Sequence, residues 1–438
     1  ALDKLGVEAD FTRIGRYKSA AETFTDSTMS DATREQYGEL LDDWYTRTVD
    51  GIATSRGLSV DSVTALVNNA PYMAAEAVRV GLIDSAGHSD RAYESVETMV
   101  RSREGRVSGK INLAHRRLYD ETWGPRPKLA VIFASGQIVN GTSGEDFFSG
   151  TQMMGAETIA KALKQAREDD AIKAVVFRID SPGGLALGSD IIWREVQLLW
   201  ETDKPVVVSV GDLAASGGYY IALPASAILA EEGTLTGSIG VIAGKFNMKS
   251  LYEKIGVTRQ SLSGGPYSGI FSEAAPWSEA ERAKMNHLLE DMYQRFVAKA
   301  AEGRAMTPAA LERVAQGRVW TGRQALEAGL VDELGGLGRA IKIAARRAGL
   351  PVDPEPEIVV FPRPMTFFEY INRMMGGKAM GAMSSAPAQG LGISPAAPLS
   401  PAAALALYPA EARRAMVVSA MLRRSPFLAL APFFLEIH

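Results

Sequence analysis

The sequence predicts an α/β protein with a largely parallel sheet, and three features carry that expectation. From Leu129 onward, runs with strand character (Leu129–Ala134, Ile172–Ile179) alternate with helical ones (Glu157–Glu168, Leu185–Trp200) at the spacing of strand-helix-strand crossovers. Val206, Val207, Val208 and Val210 then form an apolar, β-branched run. It breaks into a small-residue turn and resumes at Tyr219, as a buried strand does when it feeds a helix. Finally, the chain matches itself: Leu2-Asp-Lys-Leu-Gly-Val7 aligns with Tyr252-Glu-Lys-Ile-Gly-Val257, and Gly81-Leu-Ile-Asp84 with Gly329-Leu-Val-Asp332.

That self-match sets the domain organisation. Residues 1–105 read as the rear part of a first repeat, 106–127 as a connector, 128–350 as a complete second repeat, and 351–438 as a tail. Ala1 opens in the middle of a helical pattern, so the sequence reads as a fragment or processed form of something longer. The copies differ chemically, because Lys18 stands in the slot where the second copy has Ser268. A lone lysine in a loop is ordinarily a solvated charge, and its interest rests on what the second copy offers.

Composition narrows the chemistry. With 438 residues and a formal net charge of −4, the chain has room for two or three domains and lacks the basic surface that nucleic-acid binding needs. It has no cysteine, hence no disulfide, thiolate nucleophile or cysteine metal site. Its four histidines, His88, His115, His287 and His438, form no metal-ligand spacing. No cofactor is expected.

Taken in order, residues 30–85 show helical spacing, with Ser30-Asp31 and Ser59 as caps. The stretch 94–117 is charged and weakly patterned, and Trp123-Gly-Pro-Arg-Pro127 breaks the chain. Asp180-Ser-Pro-Gly-Gly184 follows a strand, where glycines let backbone N–H groups approach a ligand, though an ordinary strand-to-helix turn would look the same. Neither Gly-x-Gly-x-x-Gly nor a complete Walker loop occurs, so a nucleotide site is not expected.

Ala227–Ala230 reads as a strand, followed by the hydroxyl- and glycine-rich stretch 233–241, and a helical block spans Ser278 to about Gly329. Ser384–Leu407, rich in Pro and Ala, reads as a linker. Glu411–Arg424 reads as a basic amphipathic helix for an acidic membrane surface or for the chain's own domain, and 427–437 is strongly apolar. That apolar end is a candidate partner segment or self-directed pseudo-substrate.

Ser216, at the turn after the valine run, sits where a helix N-terminus would offer unpaired N–H groups. The position suits a nucleophile beside an oxyanion hole, and equally a plain helix cap.

Four motifs together give a family resemblance. Ser181-Pro-Gly-Gly184, Ala214-Ala-Ser-Gly-Gly-Tyr219, Thr236-Gly-Ser-Ile-Gly240 and Tyr17-Lys-Ser19 resemble the signal peptide peptidase A (protease IV) family in its long, two-repeat bacterial form, over roughly residues 1–350. The resemblance implies a Clp/crotonase-like spiral of ββα units, here a tandem repeat with the first copy incomplete. It implies Ser216 as nucleophile, Lys18 as general base, Ser238 as the lysine's orienting partner, and the N–H groups of Gly184 and Gly217 as oxyanion hole. It further implies apolar peptide substrates, chiefly remnant signal peptides, and a homotetrameric ring. The enzyme would be anchored through an N-terminal segment in the bacterial inner membrane, with its site facing the periplasm.

The chemistry suits the residue types, since a lysine can take a serine's proton only as a neutral amine, and burial lowers its pKa. Other readings are a crotonase-type acyl-CoA enzyme, a serine hydrolase with a histidine base, and a catalytically silent membrane scaffold. The first has no use for Lys18, the second finds only His287 and His438 after Ser216, and the third leaves the Ser216 and Lys18 pair without a role.

Overall fold

A computed structural model describes residues 2–86, 98, 127–145, 151–257, 266–267, 269–353, 356–362 and 427–430. The chain divides into two compact units, Ala1–Tyr37 with Pro125–His438, and Gly38–Gly124.

The N-terminal elements are α1 (Leu2–Leu5), β1 (Glu8–Ile14), α2 (Glu22–Thr25) and the long α3 (Asp31–Arg56), which runs on into the second unit. That unit continues with α4 (Val60–Asn68) and α5 (Ala74–Arg79). Ser59 caps α4 by accepting a hydrogen bond from the Ser62 N–H, as the sequence suggests, and Val49, Ala53 and Val63 form its small core.

The first unit resumes with β2 (Lys128–Ser135), β3 (Gln137–Val139), β4 (Gly144–Glu145), β5 (Gln152–Gly155), α6 (Ala156–Glu168), β6 (Ile172–Ser181), β7 (Gly183–Leu185) and α7 (Ala186–Trp200). Next come β8 (Val206–Ala215), the single turn α8 (Gly217–Tyr220), β9 (Ala227–Ala230), β10 (Leu235–Gly237), β11 (Val241–Asn247) and α9 (Lys249–Lys254). After these follow α10 (Glu279–Gly303), α11 (Pro308–Val314), β12 (Val319–Thr321), α12 (Gly322–Glu327), β13 (Glu333–Leu334), α13 (Leu337–Arg347), β14 (Glu357–Phe361) and β15 (Phe427–Leu430).

Among the described residues the strands form two sheets. In the first, β14, β2, β6, β8 and β10 lie side by side in parallel and β12 closes the edge antiparallel; β9 and β13 extend it from β8. The valine run is its centre and is covered on both faces. Val206, Val208 and Val210 pack in the main core with Phe177, Ile192 and Tyr219, while Val207 turns to the opposite cluster with Ala340 and Ala344 of α13. A strand buried on both sides has no polar face, which is why the run is continuous rather than alternating. Each of these side chains gains about 1.5–3 kcal/mol from leaving water.

The second sheet has the order β1-β11-β15-β7-β3-β5-β4 and mixes both orientations. The sequence pattern gives little sign of it. β1 reads Glu-Ala-Asp-Phe-Thr-Arg-Ile, β11 contains Gly244 and Lys245, and β3, β4 and β7 have three residues or fewer. The helical block expected over Ser278–Gly329 comprises three helices interrupted by β12. The stretches 384–407 and 411–424 and Ser268 lie outside the described residues.

Candidate active site

Three strand ends build the site. β8 stops at Ala215, and β10 pairs with it in parallel, Gly237 against Ala215, so Ser216 and Ser238 leave adjacent strands side by side. The Ser216 N–H donates to the Gly237 carbonyl at 2.8 Å. β1 pairs antiparallel with β11 from Glu8↔Asn247 to Ile14↔Val241, which delivers the following loop, Gly15 to Ser19, to the same place.

Lys18 enters from that loop and is fully buried. Its Nζ lies 2.7 Å from Ser216 Oγ, and donates to Ser238 Oγ at 3.0 Å and to the Ser238 carbonyl at 3.1 Å. A neutral amine has two N–H donors and one lone pair. In the neutral form, with both donors on Ser238, the lone pair is left for the Ser216 hydroxyl proton.

Burial pushes the Lys18 pKa well below its ordinary value, because the charged form loses its hydration. No acidic side chain among the described residues restores it. Three acceptors surround Nζ, so hydrogen bonding can satisfy either form, and it is the loss of hydration that favours the neutral amine.

The backbone around Lys18 is held from several directions. Tyr17 N–H donates to the Gln316 carbonyl at 2.9 Å, and Arg13 Nη1 donates to the Lys18 carbonyl at 3.0 Å while pairing with Glu22 at 2.8 Å. Burial alone would raise the Glu22 pKa. Hydrogen bonds from Thr33, Arg13 and Ser30 outweigh it, so the carboxylate stays ionised and anchors Arg13. Gly317, at φ +74°, lies against the Lys18 backbone, and a Cβ there would sit 2.8 Å from both Lys18 Cβ and N.

Strain marks the same spot. Ser216 has φ 57° and ψ −118°, the dihedral values of the first corner of a type II′ turn and a conformation normally left to glycine. Ser238 is at φ 53° and Gln316 at φ 55°. Such positions cost on the order of 1–3 kcal/mol each and persist where surrounding structure imposes them. Ser216 occupies the N-cap position of α8, yet its side chain makes no capping hydrogen bond. The hydroxyl is turned to Lys18 instead, so it does not serve as a side-chain cap.

Gly184 and Gly217 adjoin one another. A Cβ on Gly217 would be 3.2 Å from the Gly184 nitrogen and 2.5 Å from Ser189 Oγ. Ser189, buried in the first turn of α7 and donating to the Leu185 carbonyl at 3.1 Å, is a close neighbour that no sequence motif identifies. α8 itself is pinned by Tyr219, whose hydroxyl donates to the Leu330 carbonyl at 2.7 Å. Beside these elements lies a cavity of about 380 Å³, with Ala186, Leu187, Val241, Met292 and Phe296 among its lining and Asp190 and Lys299 paired at 2.5 Å within it.

Among the described residues no group of acidic or histidine side chains is arranged to hold a metal ion. The arrangement offers a proton acceptor in contact with a hydroxyl, next to paired glycines.

Known proteins are similar to this chain in sequence. The profile of peptidase family S49 matches residues 1–102 and 199–351. The chain is 37% identical over 389 residues to the chloroplastic serine protease SPPA of Arabidopsis thaliana, covering 87% of this chain and 56% of that protein. Protease 4 of Salmonella typhi is 33% identical over 362 residues, 80% of this chain and 57% of its own length. A putative protease of Synechocystis is 38% identical over 253 residues, 58% of this chain and 84% of that protein. The chain therefore spans little more than half the length of the Arabidopsis and Salmonella relatives. One matched stretch contains Lys18 and the other contains Ser216 and Ser238, so the two halves of the buried contact both fall on the family's profile, and the chain belongs to peptidase family S49.

Proposed function

We propose that this chain is a serine endopeptidase with a Ser/Lys dyad that degrades apolar peptides, chiefly cleaved signal peptides. The observation that carries the reading is the fully buried Lys18 amine 2.7 Å from the Ser216 hydroxyl. In the reaction, Lys18 Nζ takes the proton of Ser216 as Oγ attacks the scissile carbonyl. The oxyanion that forms is met by the N–H groups of Gly184 and Gly217, each such donor being worth about a hundredfold or more in rate. Lys18 then gives its proton to the departing amine. A water entering at the same place gives a proton to Lys18 and attacks the acyl carbonyl; the bond to Ser216 Oγ breaks, Lys18 returns the proton to Oγ, and the acid product leaves. Ser238 keeps Nζ aimed throughout.

The apolar lining of the neighbouring cavity suits a hydrophobic substrate side chain. The resemblance to signal peptide peptidase A supports a spiral of ββα units in a tandem repeat with boundaries 1–105, 106–127, 128–350 and 351–438, a homotetramer, and work at the periplasmic face of a bacterial inner membrane. No helix among the described residues is long and apolar enough to cross a membrane.

Hydrolysis of apolar fluorogenic peptides by the wild type, Ser216→Ala and Lys18→Ala, with and without chelator, tests the reading. Both variants should lose about a thousandfold or more in kcat, with no effect of chelator. Activity that survives Lys18→Ala would overturn the dyad.

A further inference from the structure

Tyr17, the residue before Lys18, ends a stack of rings and guanidinium groups. It is buried, and its hydroxyl donates to Glu35 Oε1 at 2.7 Å. The guanidinium carbons of Arg16 and Arg318 lie 5.0 and 5.2 Å from its ring centre. Arg318 is shared, because the same carbon is 4.4 Å from the ring centre of Trp320. Trp320 packs against Gly237, where a Cβ would come within 2.8 Å of indole Cδ1, and its Nε1 donates to the Val314 carbonyl at 2.9 Å. Side chains therefore run in contact from the neighbour of Lys18 to the neighbour of Ser238.

Main-chain bonds follow the same route. The Ser238 N–H donates to the Arg318 carbonyl at 2.6 Å, the Gly317 N–H donates to the Ile239 carbonyl at 2.7 Å, and β12 pairs with β10 at Val319↔Gly237. Arg318 is thus tied to Ser238 by its backbone and to Tyr17 by its side chain. A lysine amine rides on a flexible four-carbon stem, so where Nζ falls depends on how firmly the backbone beneath it is held. The sequence carries a matching asymmetry. Continued back from Gly81 and Gly329, the self-match sets Asn69-Ala70-Pro71-Tyr72 against Gly317-Arg318-Val319-Trp320. The aromatic position is kept and the arginine is not. Arg318 belongs to the copy that holds Ser216 and Ser238, and the lysine beside its stack comes from the other.

We propose that Arg318 is a positioning residue for Lys18, its guanidinium clamped between Tyr17 and Trp320 so as to fix the spacing between the lysine's loop and the Ser238 turn. The proposal rests on the peptidase reading above and names a further residue of that site. Arg318 acts through Tyr17 and not by touching substrate. A cation over an aromatic face is held more strongly where water is excluded, and Tyr17 is buried.

The test compares Arg318→Met, which keeps a long stem and removes the cation, with Arg318→Lys, which keeps a cation for the rings. The first arm is free of catalysis. Wild type and variants are treated with formaldehyde and cyanoborohydride, and methylation of each lysine is followed by peptide mass spectrometry. Lys18 is fully buried; Lys245, also buried and with no hydrogen-bond partner for Nζ among the described residues, reports general loosening. Arg318→Met should raise the rate at Lys18 about tenfold or more with Lys245 unchanged, and Arg318→Lys should restore part of the protection. In the second arm, kcat for an apolar peptide should fall about tenfold or more in Arg318→Met at unchanged KM, and recover in part in Arg318→Lys.

Equal protection of Lys18 in all three proteins overturns the positioning role, and an active wild type then leaves the peptidase standing. A rise at both lysines overturns it too, because the fold as a whole has loosened. Selective exposure of Lys18 with unchanged kcat in an active enzyme overturns the role in the reaction. Selective exposure in a protein whose wild type hydrolyses nothing supports the positioning of Lys18 and removes the peptidase reading.

Discussion

Lys18 Nζ lies 2.7 Å from Ser216 Oγ across 198 residues of sequence, and Ser238 receives the two remaining hydrogen bonds of the amine. Each member of this contact sits in a conformation or an environment that costs the fold free energy. Consequences for stability and for rate therefore separate cleanly.

Ser238→Ala removes one acceptor from Lys18 Nζ and leaves the Ser238 carbonyl in place. The expected fall in kcat is about tenfold or more, below the 100- to 10,000-fold that general-base catalysis supplies. The hydroxyl supports the ammonium more than the amine, so the rising limb of the pH–rate profile should also move to lower pH. An unchanged kcat and profile would show that Ser238 does not position the lysine.

Lys18→Met should stabilise the protein, with a gain that depends on pH. The folded-state pKa of Lys18 is depressed by burial, so from that value up to about 10.4 the unfolded chain holds a proton that the folded chain lacks. Wild-type stability then rises with pH through that window. The advantage of the Met variant is greatest on the acid side and shrinks as pH approaches 10.4. Denaturant titrations of both proteins at several pH values check this, and a gap independent of pH would contradict it.

At position 216, glycine should give a more stable protein than alanine. Both lose the hydroxyl, but only alanine must hold a Cβ at φ 57° and ψ −118°. The expected difference is about 1 kcal/mol or more, read as a higher Tm for Ser216→Gly. Equal stabilities would mean that the corner relaxes once the hydroxyl is gone.

Gly317→Ala should damage both properties at once. The new Cβ would meet Lys18 Cβ and N at 2.8 Å and would sit at φ +74°. A loss of about 1–3 kcal/mol is expected. A displacement of Lys18 approaching 1 Å would cost about a hundredfold in kcat. Wild-type kcat in a destabilised variant would separate Gly317 from the positioning of Lys18.

The valine run, the alternation after Leu129 and the cap at Ser59 were legible because each depends on neighbours a few residues away. Burial on both faces writes itself as Val206-Val-Val208, and a helix start as Ser59. β1 and β11 were not legible. Their mixed residues become strands through pairing with each other, and no local period records a partner more than 200 residues distant. Ser189 and Gly317 escaped for the same reason, since a serine in a helix and a glycine in a turn acquire their roles from what packs against them.

The sequence by itself determined the chemical repertoire: an α/β chain without cysteine, a serine at the exit of a buried strand, hydroxyl- and glycine-rich turns, and one lysine in a slot its repeat leaves to serine. Only the tertiary structure decided what those groups do to each other. Whether Ser216 caps a helix or meets a base depends on where Nζ lies, and whether Lys18 is a solvated cation or a buried amine depends on the water removed around it. Distance and desolvation belong to the assembled fold.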